Sequence, residues 1–198
     1  MNLVGYRNIL IIVSLIFILI SSAPALSLLI PLPIGRESFS EFWILGPGLM
    51  AEDYPFNVTA ESNYLVYLGI RNHLASSAYY VVYVKFRNQS ESLPNATSGT
   101  PSALPPLYEH AVFLQDGESW ESALTFSFSG VSFDGNRSFV KSVVINDYAF
   151  EVDKEAHWDN DGMDFFYQLF MELWFYNVKD EDLGFHNRFL TLRLNVTL

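Results

Sequence analysis

The chain of 198 residues contains no cysteine. That absence excludes a disulfide framework, a thiolate metal site and a cysteine nucleophile together. Basic residues are also scarce, with 11 Lys and Arg against 22 Asp and Glu. The resulting net charge of −11 repels nucleic acid phosphates and anionic headgroups. Between Arg7 and Arg36 charge of either sign is missing altogether. No Gly-rich phosphate loop, dinucleotide fingerprint or GxSxG elbow is present, and no internal repeat of roughly 20–50 residues. What remains is half hydrophobic and 16% aromatic, too apolar for a disordered chain.

The uncharged stretch from Ile9 to Ile34 is built from Ile, Leu, Val, Phe, Ala, Ser and Pro. At about 1.5 Å per helical residue, roughly 20 residues cross a hydrocarbon core of about 30 Å, so Ile9 to Ile30 suffices for one span. Arg7 and the terminal amine favour an inside N-terminus, which puts everything from about Glu37 outside. Residues 1–34 are therefore expected to be a membrane anchor or signal segment, with the lipid bilayer as partner of residues 9–30. Residues 37–198 are expected to be an extracellular domain. Ala23-Pro24-Ala25 also has the small-x-small form of a signal-peptidase site, and cleavage after Ala25 would make the protein secreted. A retained single-pass anchor is preferred, because the cleaved chain would begin on an exposed apolar tail.

Five sequons fit an outside location: Asn57-Val58-Thr59, Asn88-Gln89-Ser90, Asn95-Ala96-Thr97, Asn136-Arg137-Ser138 and Asn195-Val196-Thr197. Asn88 and Asn95 are the favoured acceptors, since they flank the Ser-, Pro- and Asn-rich stretch Gln89 to Pro106, which reads as a long solvent-exposed loop. Asn195 falls on the outward face of a strand.

Past Arg36 the hydrophobic pattern has period two, the mark of half-buried strands. Asn63 to Arg71 puts Tyr64, Val66, Leu68 and Ile70 on one face. Tyr79 to Arg87 puts Tyr80, Val82, Val84 and Phe86 inward, with Lys85 and Arg87 outward. Leu124, Phe126 and Phe128, and Leu190, Leu192 and Leu194, alternate with polar residues. Phe39 to Leu45, Tyr108 to Leu114, Phe139 to Ile145 and Tyr148 to Val152 add strands, the last two joined by a tight turn at Asn146-Asp147. Asp164 to Val178 reads as one long strand, its odd positions apolar and its even positions carrying Gln168 and Glu172. Eight or nine such strands give an all-β fold: an antiparallel immunoglobulin-like β-sandwich preceded by one N-terminal transmembrane helix.

The run Ser40-Glu41-Phe42-Trp43-Ile44-Leu45-Gly46-Pro47, then Ala51-Glu52-Asp53-Tyr54-Pro55 with Asn57-Val58-Thr59, then Gly69-Ile70-Arg71-Asn72-His73, resembles the extracellular C-terminal part of an archaeal family, domain of unknown function 1616. The likeness extends more weakly through Leu114 to Glu118 and Phe185-His186-Asn187-Arg188. It implies archaeal origin, a cell-envelope setting and a β-rich ectodomain, and it assigns no catalytic residue. Members with several spans are expected, whereas this chain has room for one. Read without the family, Gly46-Pro47-Gly48 ends a strand in a turn, and Asn72-His73 satisfies main-chain groups at a sheet corner.

Asp159-Asn160-Asp161-Gly162-Met163-Asp164 is the best candidate for chemistry, with Asp159, Asp161 and Asp164 as possible calcium ligands. The loop is incomplete, because its first position would be His157 and its twelfth Gln168, and an acidic turn is the plainer reading. His73, His110, His157 and His186 lack zinc-ligand spacing. No other cofactor is expected. Phe166, Phe170, Trp174 and Tyr176 share one face of the long strand and form a candidate sugar platform. The expectation is a membrane-anchored, N-glycosylated envelope or interaction module without catalysis, with other envelope proteins or glycans as partners and no nucleic acid. A carbohydrate-binding module and a surface hydrolase are the alternatives.

Overall fold

In the computed structural model the described residues are 3–29, 38–177 and 181–198. They fall into two units, Met1–Glu37 and Ser38–Leu198. The first holds the helix α1 (Leu3–Leu29), which carries no charge after Arg7. Two of its serines return their hydroxyls to the helix backbone, Ser14 Oγ donating to the Leu10 carbonyl at 2.8 Å and Ser21 Oγ to that of Phe17. Side chains of α1 are described at Tyr6, Arg7, residues 9–18, Ile20 and Ser21. The large apolar ones from Ile9 to Ile20 are 51–73% exposed. Among the described residues no helix is long and apolar enough to cross a membrane, so the expected N-terminal transmembrane helix is not found among them. Residues 1, 2 and 30–34 of the expected anchor segment lie outside the described ones, as does Val178 of the expected long strand.

The second unit is built from ten strands: β1 (Phe39–Leu45), β2 (Asn57–Thr59), β3 (Tyr64–His73), β4 (Ala78–Asn88), β5 (Tyr108–Leu114), β6 (Ser119–Asp134), β7 (Arg137–Ile145), β8 (Tyr148–Asp159), β9 (Asp164–Asn177) and β10 (Asp182–Thr197). They run in the order β1-β3-β6-β7-β8-β9-β10-β2, with β4 on β9 and β5 on β4. β8 pairs with β7 over most of its length and with β9 only at Trp158↔Phe165 and Asp159↔Asp164. Hydrogen bonding thus passes from one half to the other through a single short hairpin, and the sheet curls there. The molecule is mostly β, as expected, and its strands are joined in one curled sheet. All named strand pairs are antiparallel except β2 with β10, which is parallel.

The inner faces share one core. Val66, Leu68 and Ile70 of β3 and Phe126 and Phe128 of β6 meet Val82, Val84 and Phe86 of β4 and Leu169, Met171 and Leu173 of β9. Phe86 lies 5.4 Å from both Phe128 and Tyr167, ring to ring. These are the side chains that alternation places inward, since a strand turns successive side chains to opposite faces. The outer face of β4 and β9 departs from expectation. Lys85, Arg87, Phe170 and Glu172 point away from the core yet are buried. The segment expected as a solvent-exposed loop, residues 89–106, reaches three of them, Lys85 and Glu172 at Ser102 and Arg87 at Glu91.

Candidate functional site

Three polar groupings stand on this frame. The first lies beneath the 89–106 loop. The Lys85 ammonium sits 2.9 Å from Glu172 Oε2 and donates to the Ser102 carbonyl at 3.0 Å. Glu172 Oε1 accepts the Ser102 N–H at 2.7 Å, and its Oε2 accepts Trp174 Nε1 at 3.0 Å. A buried ion pair is tolerated only when its remaining lone pairs and protons are used, and the loop backbone supplies those partners. Farther along, Arg87 donates to the Glu91 carbonyl and Lys154 pairs with the Glu91 carboxylate, which ties the start of the loop to β8.

The second grouping is buried between strands. His186 Nε2 lies 2.8 Å from Ser40 Oγ, Ser40 Oγ lies 2.6 Å from Tyr80 Oη, and Tyr80 donates to Asn72 Oδ1 at 3.2 Å. Asn72 in turn donates to the Ser76 and Leu114 carbonyls. Each donor is used once if the proton order runs His186 to Ser40 to Tyr80 to Asn72. In that order the serine oxygen accepts from the imidazole, the reverse of what a nucleophile needs from its base. Burial, with the Arg188 charge second, pulls the His186 pKa down to about 4. Burial likewise raises the Tyr80 pKa, although its bond to Ser40 works the other way. These four residues come from separate strands and were not linked by any spacing in the sequence. Asn72 satisfies main-chain groups at the corner as expected, while His73 instead stacks on Phe39 and meets Glu41 at 2.9 Å across the β1–β3 pair.

The third grouping is a cleft of about 510 Å³ at the end of the β8–β9 hairpin, lined by Gln89, Trp158, Asp159, Phe166 and Arg193. Arg193 anchors it. Its Nε and Nη2 grip Asp164 at 3.0 and 2.9 Å, Nη2 lies 3.4 Å from Asp159 Oδ2, and the guanidinium stands 4.6 Å from the Phe166 ring centre. The Asp164 bond raises the Arg193 pKa, so its charge is permanent. Sequence reasoning missed Arg193, Gln89 and Trp158, because they lie on different elements and meet only through the pairing of β4, β8 and β10 with β9.

The expected calcium ligands resolve differently. Arg193 occupies the space between Asp159 and Asp164, and Asp159 Oδ1 accepts the Asp161 N–H at 3.0 Å, an Asx turn. Among the described residues no group of three acidic or histidine side chains is placed to hold a metal. The aromatic strip is also broken. Phe170 is fully buried, Trp174 is held by Glu172, Tyr176 is exposed, and Phe166 belongs to the cleft instead. Of the sequon asparagines, Asn57, Asn95 and Asn136 are exposed. Asn88 and Asn195 are half-buried, and their amide nitrogens, the atoms a glycan occupies, donate to the Glu155 carbonyl at 2.8 Å and to Asn57 Oδ1 at 2.9 Å.

A curled β domain with a buried polar clamp and one mixed aromatic and polar cleft is the class these features define. Within it the chain belongs to the family described as domain of unknown function (DUF1616), whose model matches residues 33–137. The weaker likeness at residues 185–188 falls beyond the matched stretch. No curated protein matches the chain. Among solved structures, a β-glucosidase from Listeria innocua in complex with gluconolactone is similar at a TM-score of 0.39 and 11% identity, over 82% of this chain and 16% of the glucosidase. The complex of zinc 2-glycoprotein and prolactin inducible protein from human seminal plasma is similar at 0.36 and 8%, over 82% of this chain and 98% of the matched one. This chain therefore spans about a sixth of the glucosidase, 16% of its length.

Proposed function

We propose that the protein is a membrane-anchored, N-glycosylated surface module of an archaeal cell envelope, acting by recognition and without catalysis. One observation carries the reading: no charged side chain lies between Arg7 and Arg36, and all 22 acidic residues follow that stretch. An uncharged run of this length favours lipid, and a strongly acidic body favours water. The exposed apolar side chains of α1 from Ile9 to Ile20, and the return of the Ser14 and Ser21 hydroxyls to the helix backbone, support a helix that meets an apolar medium. Exposed acceptors at Asn57, Asn95 and Asn136 support an outside body. For a binding role speak the fully buried Ser40 beside His186 and the capture of Asp159 and Asp164 by Arg193, which leaves no free pair of facing carboxylates in the cleft.

Carbonate extraction of membranes from the native cell tests the anchor. The full chain is expected to stay in the pellet, and protease added to intact cells is expected to remove residues 38–198. Release of the full chain into the alkaline supernatant, or an N-terminus at Leu26, would overturn the anchor.

A further inference from the structure

The cleft at the β8–β9 hairpin has the lining of a ligand site, and its charges say which kind. It is bounded by two half-buried rings, Trp158 and Phe166, an exposed amide, Gln89, and the Arg193–Asp159 pair. Its volume of about 510 Å³ lies inside the roughly 300–1,000 Å³ range of small-molecule sites. Arg193 is neutralised by Asp164 and Asp159, so an anionic ligand finds no uncompensated cation, and the net charge of −11 opposes its approach. The guanidinium fills the place a metal or ammonium ion would take between the carboxylates. An apolar ligand would strand the polar rim.

A neutral polyol meets none of these penalties. Gln89 is held by its Nε2, which donates to the His157 carbonyl at 3.0 Å, and this turns its oxygen to a fixed place as an acceptor. In the next cross-strand row behind Phe166, β4 and β9 pair Arg87 with Gln168 and β9 and β10 pair Gln168 with Arg193. Arg87 Nε and Gln168 Oε1 are buried in that row without a partner, and the Arg87 guanidinium stands 5.5 Å from the Phe166 ring centre. Rings for the apolar face of a pyranose, next to pre-oriented donors and acceptors for its hydroxyls, are the chemistry of saccharide recognition.

We infer that this cleft binds a neutral saccharide, with the Trp158 ring against a sugar face, the edge of Phe166 beside it under Arg193, and Gln89, Asp159 and Arg193 hydrogen-bonded to its hydroxyls. The inference goes beyond the anchored-module reading and stands if that reading fails, because the cleft lies wholly within residues 38–198.

Isothermal titration of the full chain in lauryldimethylamine oxide, a detergent without a sugar headgroup, provides the test. The probes are maltohexaose, cellohexaose, chitohexaose and mannohexaose, with hexagalacturonate as the charged comparison. At least one neutral hexasaccharide is expected to bind with Kd below about 1 mM, a value in the weak range of specific association. Trp158→Ala is expected to weaken it about tenfold or more. Gln89→Ala, at an exposed position where folding is not at stake, is expected to weaken it by about threefold or more. Phe113→Ala, which removes an exposed ring on the edge strand β5, leaves binding unchanged. Absence of binding to all four neutral probes, binding that both cleft variants leave intact, or preference for hexagalacturonate would each overturn the inference. None of these results bears on carbonate extraction, so the two readings fail separately.

Discussion

Lys85 and Glu172 are almost wholly withdrawn from water, with side-chain exposures of 4% and 0%. Removing one partner of such a pair leaves the other charge buried and uncompensated. Glu172→Ala is therefore expected to lower unfolding free energy by about 3–5 kcal/mol in urea titrations. Glu172→Gln combined with Lys85→Met is expected to recover much of that loss, because an amide oxygen still accepts the Ser102 N–H while the lone ammonium is gone. His186 sets a pH dependence of definite sign. Its pKa falls from 6.5 to about 4 on folding, so the neutral form stabilises the fold fully above about pH 6.5. That contribution is lost as pH falls through 4, by up to roughly 3 kcal/mol. Burial lowers the His110 pKa too, and it adds in the same direction. His186→Asn is expected to flatten the slope of stability against pH between 6.5 and 4, and an unchanged slope would remove His186 as its source. Little of this was legible in the sequence. Alternation correctly turned Lys85 and Arg87 away from the core, but it carries no information on what covers an outer face. Nor does Ser40 announce a contact with His186, 146 positions away.

At the level of single elements the sequence spoke more clearly. β1 and β5 have the bounds expected from alternation, Phe39–Leu45 and Tyr108–Leu114. The Asn146-Asp147 turn forms as read, with φ of 45° and 68° at its two residues, the left-handed pair that a two-residue hairpin requires. Asn146 does more than turn: its Oδ1 accepts the Thr125 N–H at 2.9 Å, binding the turn to β6. Asn146→Ala is expected to cost about 2 kcal/mol, roughly half for the lost bond and half for the left-handed backbone. Asn146→Gly should return the backbone half, a difference that paired denaturation curves resolve. Gly69 has another reason to be glycine. It faces Trp43 across the β1–β3 pair, and a Cβ there would fall 2.0 Å from the indole Cε2. Gly69→Ala is expected to destabilise by about 1–3 kcal/mol through overpacking, measured the same way. What the pattern missed was the buried even face of β9. Phe170 and Glu172 read as outward positions, yet both are buried, Glu172 under the 89–106 loop, which has no periodicity of its own and meets it at Ser102. Ser, Pro and Asn content marks a segment as irregular, but it does not say whether it lies on a face or leaves it.

For the whole molecule, all-β character was legible because ten strands repeat one rule of alternation, while closure was not. Pairing order depends on contacts between distant segments, and the curl at Trp158–Phe165 has no local signature. Surface chemistry follows from closure. Glycan mapping of the native protein by peptide mass spectrometry is expected to find Asn57, Asn95 and Asn136 modified ahead of Asn88 and Asn195. Full occupancy of Asn195 with Asn57 bare would contradict the geometry, since the Asn195 amide nitrogen already serves Asn57.

The parallel pairing of β2 with β10 reaches further, into how the molecule is made. β10 sits between β9 and β2, two strands synthesised before it, so this half of the sheet has an interior gap while the chain emerges. Until residues up to Thr197 are free, β9 offers an open hydrogen-bonding edge and β2 has no sheet partner. Exposure of that edge before β10 pairs, more than weakness of the finished fold, is then the step at which such chains would pair with one another by mistake.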